Sequence, residues 1–139
     1  MVDTRTGLVH DYSRRRGVLD ARLILPGSSM RQDHAAFWCG IEHHHRRKDA
    51  VLAREVVVGL PAELDQDARA ELAWKFAQAI ANRFEVAVDC ALHTPSKKDS
   101  DPRNFHAHLL ITACHVDPSG NLGKKALALD PIHCRRAGL

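Results

Sequence analysis

The feature that most constrains the fold is a regular alternation of side chains from His106 to Val116. Two sets of residues alternate there, one carrying both histidines and one wholly apolar: His106, His108, Leu110 and Thr112 against Ala107, Leu109, Ile111 and Ala113. Because successive side chains of a strand point to opposite faces, this segment is predicted to be a β-strand with two unlike faces. An apolar strand over residues 86–93 precedes it, and a polar loop over residues 94–104 joins the two. The two strands are therefore expected to lie side by side.

Four further elements are predicted before this pair of strands: a strand over residues 21–26, a helix over 30–49, a strand over 51–60 and a helix over 66–83. The first helix is expected to follow a cap at Ser28 or Ser29. In the second helix, Leu72, Phe76 and Ile80 recur at intervals of four, which is typical of an amphipathic helix.

The order β-α-β-α-β-β predicts an α+β fold with an antiparallel sheet and two packed helices. Residues 1–20 are polar and are expected to be irregular or to form a short hairpin. A chain of 139 residues, 45% of them hydrophobic, has the size and composition of one globular domain, and we expect a single domain over residues 1–139.

The composition narrows the class of protein. With 20 Lys and Arg against 17 Asp and Glu, the net charge is only +3, which excludes a histone-like polycation and leaves room for a local basic face. No apolar run approaches the roughly 20 residues of a membrane helix, and the polar residues 1–16 are not expected to act as a signal peptide. The four cysteines lack C-x-x-C spacing and are expected to be free thiols. We therefore expect a cytoplasmic protein without membrane partners.

Three histidines form the most informative constellation of the chain. His106 and His108 are two residues apart and share one face of their strand, while His93 closes the preceding strand. The three imidazoles could converge on one divalent ion and leave open positions for water or a phosphate oxygen, as in catalytic metal sites. The alternative is a pair of surface histidines that binds nothing. The run from His43 to His45 competes as a site, but successive helical residues diverge by about 100°, which favours a solvated helix end.

The sequence from His93 to Thr112 also resembles a known family. His93 followed by D-P-R-N-F-H-A-H-L-L-I-T at residues 101–112 is similar to the MobA/MobL family of plasmid-mobilisation relaxases, which belong to the HUH endonucleases. Further stretches share the resemblance: D-T-R-T-G-L-V-H-D-Y at 3–12, L-A-R-E-V-V-V-G-L-P at 52–61 and L-D-P-I-H-C-R-R at 129–136. The resemblance extends over nearly the whole chain.

The resemblance implies a function and roles for particular residues. His93, His106 and His108 would bind the metal ion, Mn²⁺ or Mg²⁺, although an all-imidazole site suits Zn²⁺ better. Glu55 would orient a metal-binding histidine from outside the ligand set. The reaction would be the site- and strand-specific nicking and joining of single-stranded or locally melted plasmid DNA at a transfer origin. Accessory mobilisation proteins could take part.

The chain departs from the family pattern at several points. The family's nucleophilic tyrosine lies upstream, on a helix after an N-terminal strand, and Tyr12 matches a different, downstream element. We therefore expect a relaxase domain trimmed at both ends, without the nucleophile and inactive in covalent joining. A sheet without its neighbouring strand would have an exposed edge and a tendency to associate. Phe105 also replaces the family's usual proline before the H-x-H motif.

Two basic clusters are expected to meet the DNA backbone. Lys97, Lys98 and Arg103 belong to the loop beside the predicted metal ligands, and Lys124 and Lys125 follow the turn after the histidine strand. The alternative for such charge runs is a solvated surface. Two other functions stay open: a non-catalytic DNA-binding remnant, and a small metal-dependent phosphodiester hydrolase that uses metal-bound water.

Overall fold

The computed structural model describes residues 18–30, 34–45, 51–94, 105–136 and 138. Seven strands and three α-helices follow one another in these ranges, with a short 3₁₀ turn at Leu127–Leu129. In chain order they are β1 (Val18–Leu25), β2 (Ser28–Met30), α1 (His34–His44), β3 (Ala53–Leu60), α2 (Gln66–Phe84), β4 (Val88–His93), β5 (Phe105–Thr112), β6 (Cys114–Val116), β7 (Leu122–Lys125) and α3 (Pro131–Arg136).

Five of the strands form one antiparallel sheet in the order β2-β1-β4-β5-β3, and β6 and β7 form a separate hairpin. The predicted α+β architecture, an antiparallel sheet with two packed helices, is confirmed. The adjacency of β4 and β5 is also as predicted, with His93 directly opposite His106. Among the described residues β3 is an edge strand, and its Val56 and Val57 are 40% and 57% exposed.

Helix α2 covers one face of the sheet and encloses the larger apolar cluster. The carboxylate of Asp65 caps the helix by accepting a hydrogen bond from the backbone N–H of Ala68 (2.8 Å), as a residue before a first helical turn commonly does. The residues of α2 that are fully buried are alanines, at positions 73, 77 and 81. Because these side chains are small, the helix backbone can lie close to the apolar residues of β4 and β5.

Helix α1 and the β6–β7 hairpin cover the opposite face. Phe37, Trp38 and Ile41 of α1 pack against Leu23 and Leu25 of β1 in a second apolar cluster. This division follows from the alternation of β4 and β5. Val88, Cys90 and Leu92 belong to the cluster under α2, which leaves Asp89, Ala91 and His93 on the α1 side.

Cys90 is an interior residue, as its apolar strand predicted. Burial, with a smaller contribution from the charge of Asp89, raises the pKa of the Cys90 thiol to about 12. The thiol is therefore neutral throughout the physiological range. No disulfide joins any of the four cysteines, in agreement with the sequence analysis.

Some boundaries differ from the predictions. Ser28 belongs to β2, which pairs with β1, so neither Ser28 nor Ser29 caps a helix, and α1 spans His34–His44 rather than residues 30–49. The predicted strand over residues 106–116 is interrupted at Ala113. There the Thr112 hydroxyl donates to the carbonyl of Cys114 (2.9 Å) and turns the chain away from the sheet. Residues 1–17 lie outside the described part of the chain.

Candidate metal centre

The register of β4 and β5 brings three histidines together at one end of the sheet. His93, the last residue of β4, is the direct antiparallel partner of His106, and His108 is the partner of Ala91. Directly opposed residues of an antiparallel pair share a face, and residues two apart on one strand also share a face. All three imidazoles therefore stand on the α1 side of the sheet.

The three rings are close enough to share one ion. One ring nitrogen from each histidine lies within 4.8 Å of the others, and this is the one such group of three ligating residues in the described ranges. The ring centroids are 4.1 Å apart for His93 and His108, 5.1 Å for His93 and His106, and 5.0 Å for His106 and His108. Three converging neutral imidazoles suit a divalent transition metal, and they would leave its remaining positions to water or substrate.

Glu55 reaches this group from the neighbouring strand β3. Its Oε1 lies 2.6 Å from Nδ1 of His108, and the two side chains are 50% and 26% exposed. A carboxylate oxygen accepts a hydrogen bond, so this contact places the proton of a neutral His108 on Nδ1. The contact thereby leaves Nε2 with its lone pair for a metal ion.

In the part of the chain that the structure describes, few side-chain atoms flank the three histidines on the β3 side. Val57 pairs with His108 and Gly59 pairs with His106. The position beside His108 therefore carries a small apolar side chain, and the position beside His106 carries none. Val57 is 57% exposed, and a Cβ added at Gly59 would meet no heavy atom within 4 Å. Within the described ranges, this flank of the three imidazoles therefore carries little side-chain bulk.

A buried carboxylate lies on the same face of β4, four residues before His93. Asp89 is only 9% exposed, and its Oδ2 accepts a hydrogen bond from the Trp38 indole N–H (2.9 Å) and lies 2.8 Å from Nδ1 of His34. These contacts attach α1 to the middle of the sheet. Sequence reasoning did not single out this group, although a lone acid inside the apolar run V-D-C-A-L was a visible signal.

The competing histidine cluster does not form a comparable site. His43 and His44 are exposed at the end of α1, and Nε2 of His44 lies 2.7 Å from the carbonyl oxygen of Gly123. His44 thus connects α1 to the β6–β7 hairpin. This arrangement agrees with a helix end rather than with a shared ion.

The predicted DNA-contacting residues are only partly described. Lys97, Lys98 and Arg103 lie outside the described residues, as does Tyr12. Lys124 and Lys125 belong to β7, whose Lys125 pairs with Cys114 of β6. Cys114 follows the C-terminal end of β5, whereas His106 lies near the N-terminal end of that strand. At about 3.3 Å per residue, the chain from His108 to Cys114 spans up to roughly 20 Å. Lys125 also forms an ion pair with Asp130 (2.8 Å), so its charge is partly compensated.

Comparisons with known proteins agree on a family. The sequence profile of the MobA/MobL family matches residues 1–134. The mobilization protein MobL of Acidithiobacillus ferridurans is 49% identical over 99% of this chain, which covers 41% of that relative. A probable mobilization protein MobA of Bifidobacterium longum is 29% identical over 84% of the chain, and this match covers 20% of that relative. The conjugal transfer protein TraA of Agrobacterium fabrum is 27% identical over 86%, covering 11% of TraA.

A solved structure supports the fold. This structure comes from work on the molecular basis of vancomycin resistance transfer in Staphylococcus aureus. It superposes with a TM-score of 0.67 over 99% of this chain and 80% of that chain, at 23% sequence identity. The chain thus spans most of that structure but less than half the length of the curated relatives it matches. None of the helices in the described ranges is long and apolar enough to cross a membrane.

Proposed function

The chain belongs to the MobA/MobL family of mobilisation relaxases, and on that premise we propose that it takes part in the metal-dependent, site- and strand-specific nicking of plasmid DNA at a transfer origin. The observation that carries the proposal is the convergence of His93, His106 and His108 beside Glu55. These residues would hold one divalent ion. The family favours Mn²⁺ or Mg²⁺, whereas three imidazole ligands suit Zn²⁺.

The chemistry required is the stabilisation of charge on a phosphate. A bound divalent ion would act as a Lewis acid on a non-bridging oxygen of the scissile phosphodiester. The protein's own part is to hold the imidazoles in alignment, and Glu55 contributes by accepting the Nδ1–H of His108. The flank at Val57 and Gly59 would admit the DNA strand.

Covalent joining needs a nucleophile as well. In the relaxase reaction a tyrosine oxygen forms a bond to phosphorus, the P–O3′ bond breaks, and the departing 3′ oxygen gains a proton. The sequence has one tyrosine, Tyr12, which matches a different element of the family pattern. We therefore expect the 139-residue chain alone to bind metal and single-stranded DNA without forming the covalent product.

The remaining expectations follow from the same proposal. Residues 1–139 would form one domain, and its substrate would be single-stranded or locally melted DNA in the cytoplasm. Lys97, Lys98, Arg103, Lys124 and Lys125 would contact phosphates, so binding should weaken as salt rises. Accessory mobilisation proteins would act on the same DNA.

The test is a titration of the 139-residue chain with Mn²⁺, Mg²⁺ and Zn²⁺ by calorimetry, using wild type, His106→Ala and the control His43→Ala. His106→Ala should abolish or greatly weaken binding, and His43→Ala should not. An unchanged affinity of His106→Ala, or no binding by wild type, would refute the metal site.

Three measurements separate the alternative functions. Hydrolysis of bis(p-nitrophenyl) phosphate by wild type, lost in His106→Ala, would favour a small phosphodiester hydrolase. DNA binding that is equal in both proteins, with no cleavage by either, would favour a non-catalytic remnant. Metal-dependent cleavage at one site of a cognate single strand, when a tyrosine-bearing segment is fused to the N-terminus of the chain, would support the relaxase.

A further inference from the structure

We propose that Arg69 is a positioning residue for the candidate metal centre, because it fixes Phe105 and thereby the start of the strand from which His106 projects. The proposal rests on the metal-binding function proposed above. Arg69 itself lies on α2, on the opposite side of the sheet from the imidazoles. It would act only through the backbone of β5.

Arg69 is held on two sides. Its Cζ lies 3.7 Å from the centroid of the Phe105 ring, a close cation–π arrangement. Its Nη1 donates to the carbonyl oxygens of Ala62 (3.3 Å) and Leu64, in the turn that leads from β3 into α2. A guanidinium anchored by two carbonyls has little freedom to leave the ring, so the contact restrains Phe105 rather than merely covering it.

Phe105 transmits this restraint to the metal centre. It is the first residue of β5 and pairs with Leu60, the last residue of β3, while its successor His106 pairs with His93. Side chains alternate along a strand, so a restraint on the α2 side at Phe105 fixes the backbone while the next imidazole stands on the other side. Metal–ligand distances tolerate only about 0.2 Å of error, so a loose strand end would weaken binding.

The chain offers a matched control in a second cation–π pair. Cζ of Arg22 lies 4.6 Å from the Trp74 ring centroid and, like Arg69, connects helix α2 to the sheet. Arg22 belongs to β1, where it pairs with Cys90, well before the end of β4 at His93. Losing this pair should affect the attachment of α2 without changing the start of β5.

The experiment compares Arg69→Ala, Phe105→Leu, their combination and Arg22→Ala with wild type in Zn²⁺ and Mn²⁺ titrations below the unfolding temperature. A cation–π contact corresponds to a factor of about five in an equilibrium constant. Arg69→Ala and Phe105→Leu should each raise the metal Kd about three- to tenfold, and the combination should add little. Arg22→Ala should lower Tm and leave the Kd unchanged.

A second measurement reports on the ligands directly. The visible spectrum of bound Co²⁺ should change in Arg69→Ala and return toward wild type in Arg69→Lys, which keeps a cation near the ring. A Kd within twofold of wild type for Arg69→Ala, or an equal loss in Arg22→Ala, would overturn the proposal. If Arg69→Ala does not fold, Phe105→Leu decides by the same criterion. Absence of metal binding by wild type would instead refute the proposed metal site.

Discussion

Glu55 offers the sharpest test of the proposed metal centre. Glu55→Gln keeps the size of the side chain and removes its charge, which weakens the 2.6 Å contact with Nδ1 of His108. Loss of a carboxylate that orients a metal-binding histidine commonly costs 10- to 100-fold in affinity. Because the Glu55 side chain is 50% exposed, solvent screens the interaction and the lower end of that range applies. We expect the Zn²⁺ or Mn²⁺ Kd to rise about tenfold, equivalent to about 1.4 kcal/mol.

The assay is a calorimetric titration at constant pH and salt, with Glu71→Gln as the control. Glu71 is an exposed residue of α2, so its variant makes the same change of charge away from the histidines. Glu55→Ala should weaken binding further, since it removes the side-chain acceptor of the Nδ1–H altogether. The reasoning fails if Glu55→Gln binds the ion within twofold of wild type, or if Glu71→Gln loses as much affinity.

Three further predictions concern stability. Asp89→Ala removes the acceptor of the buried Trp38 indole N–H and should lower the free energy of unfolding by about 3 kcal/mol. With a urea slope of about 1.5–2 kcal/mol per M, the urea midpoint should fall by roughly 1.5–2 M. A loss of less than about 0.5 kcal/mol would contradict this prediction. Glu85 has φ 53° at the end of α2, so Glu85→Gly should stabilise by about 0.5–1 kcal/mol in the same assay, and a loss of stability would argue against strain. Hydrogen bonds from Asn121, backbone and side chain, hold the pKa of Asp117 below its usual 3.8. That contribution is complete above about pH 4 and is lost as pH falls through the lowered value, so Asp117→Asn should flatten the acid limb of a Tm-against-pH profile, and an unchanged limb would refute it.

The order of the main elements could be predicted because each carries its own period. The alternation in β5 and the four-residue spacing in α2 are local patterns that tertiary packing did not overrule. The contacting face of α2 was less apparent. Leu72 and Phe76 suggest an apolar stripe, yet both are 44% exposed, and the alanines beside them are buried. Close approach to a sheet favours small side chains, which a hydrophobicity pattern alone does not reveal.

Short elements could not be predicted from local sequence. Ser28 and Ser29 suit a helix cap as well as a strand, and only pairing with β1 makes them β2. The break at Ala113 depends on hydrogen bonds of Thr112, whose hydroxyl also accepts from the backbone N–H of Ala87 (3.1 Å). Such contacts join residues far apart in sequence, so no window of neighbouring residues contains them.

The convergence of His93, His106 and His108 was predictable because two adjacent strands and a two-residue spacing determine it. The attachment of α1 through Asp89 and Trp38 was not, since periodicity does not say which side of a helix meets which strand. The expected tendency to associate stays a prediction, and among the described strands β2 and β3 are the two edges of the sheet.

In the described residues, Val57 and Gly59 leave little side-chain bulk on one flank of the candidate metal centre, and this flank bears on the shape of ligand that the centre can accept. A closed pocket admits only the end of a polymer or a small molecule, whereas a surface site that is accessible along one flank also accepts the middle of a polymer strand. A polymer could thus be engaged at an internal linkage, with both of its arms running on past the protein. Placing a large side chain on this flank, for instance with Gly59→Phe, should hinder the binding of long ligands more than that of short ones.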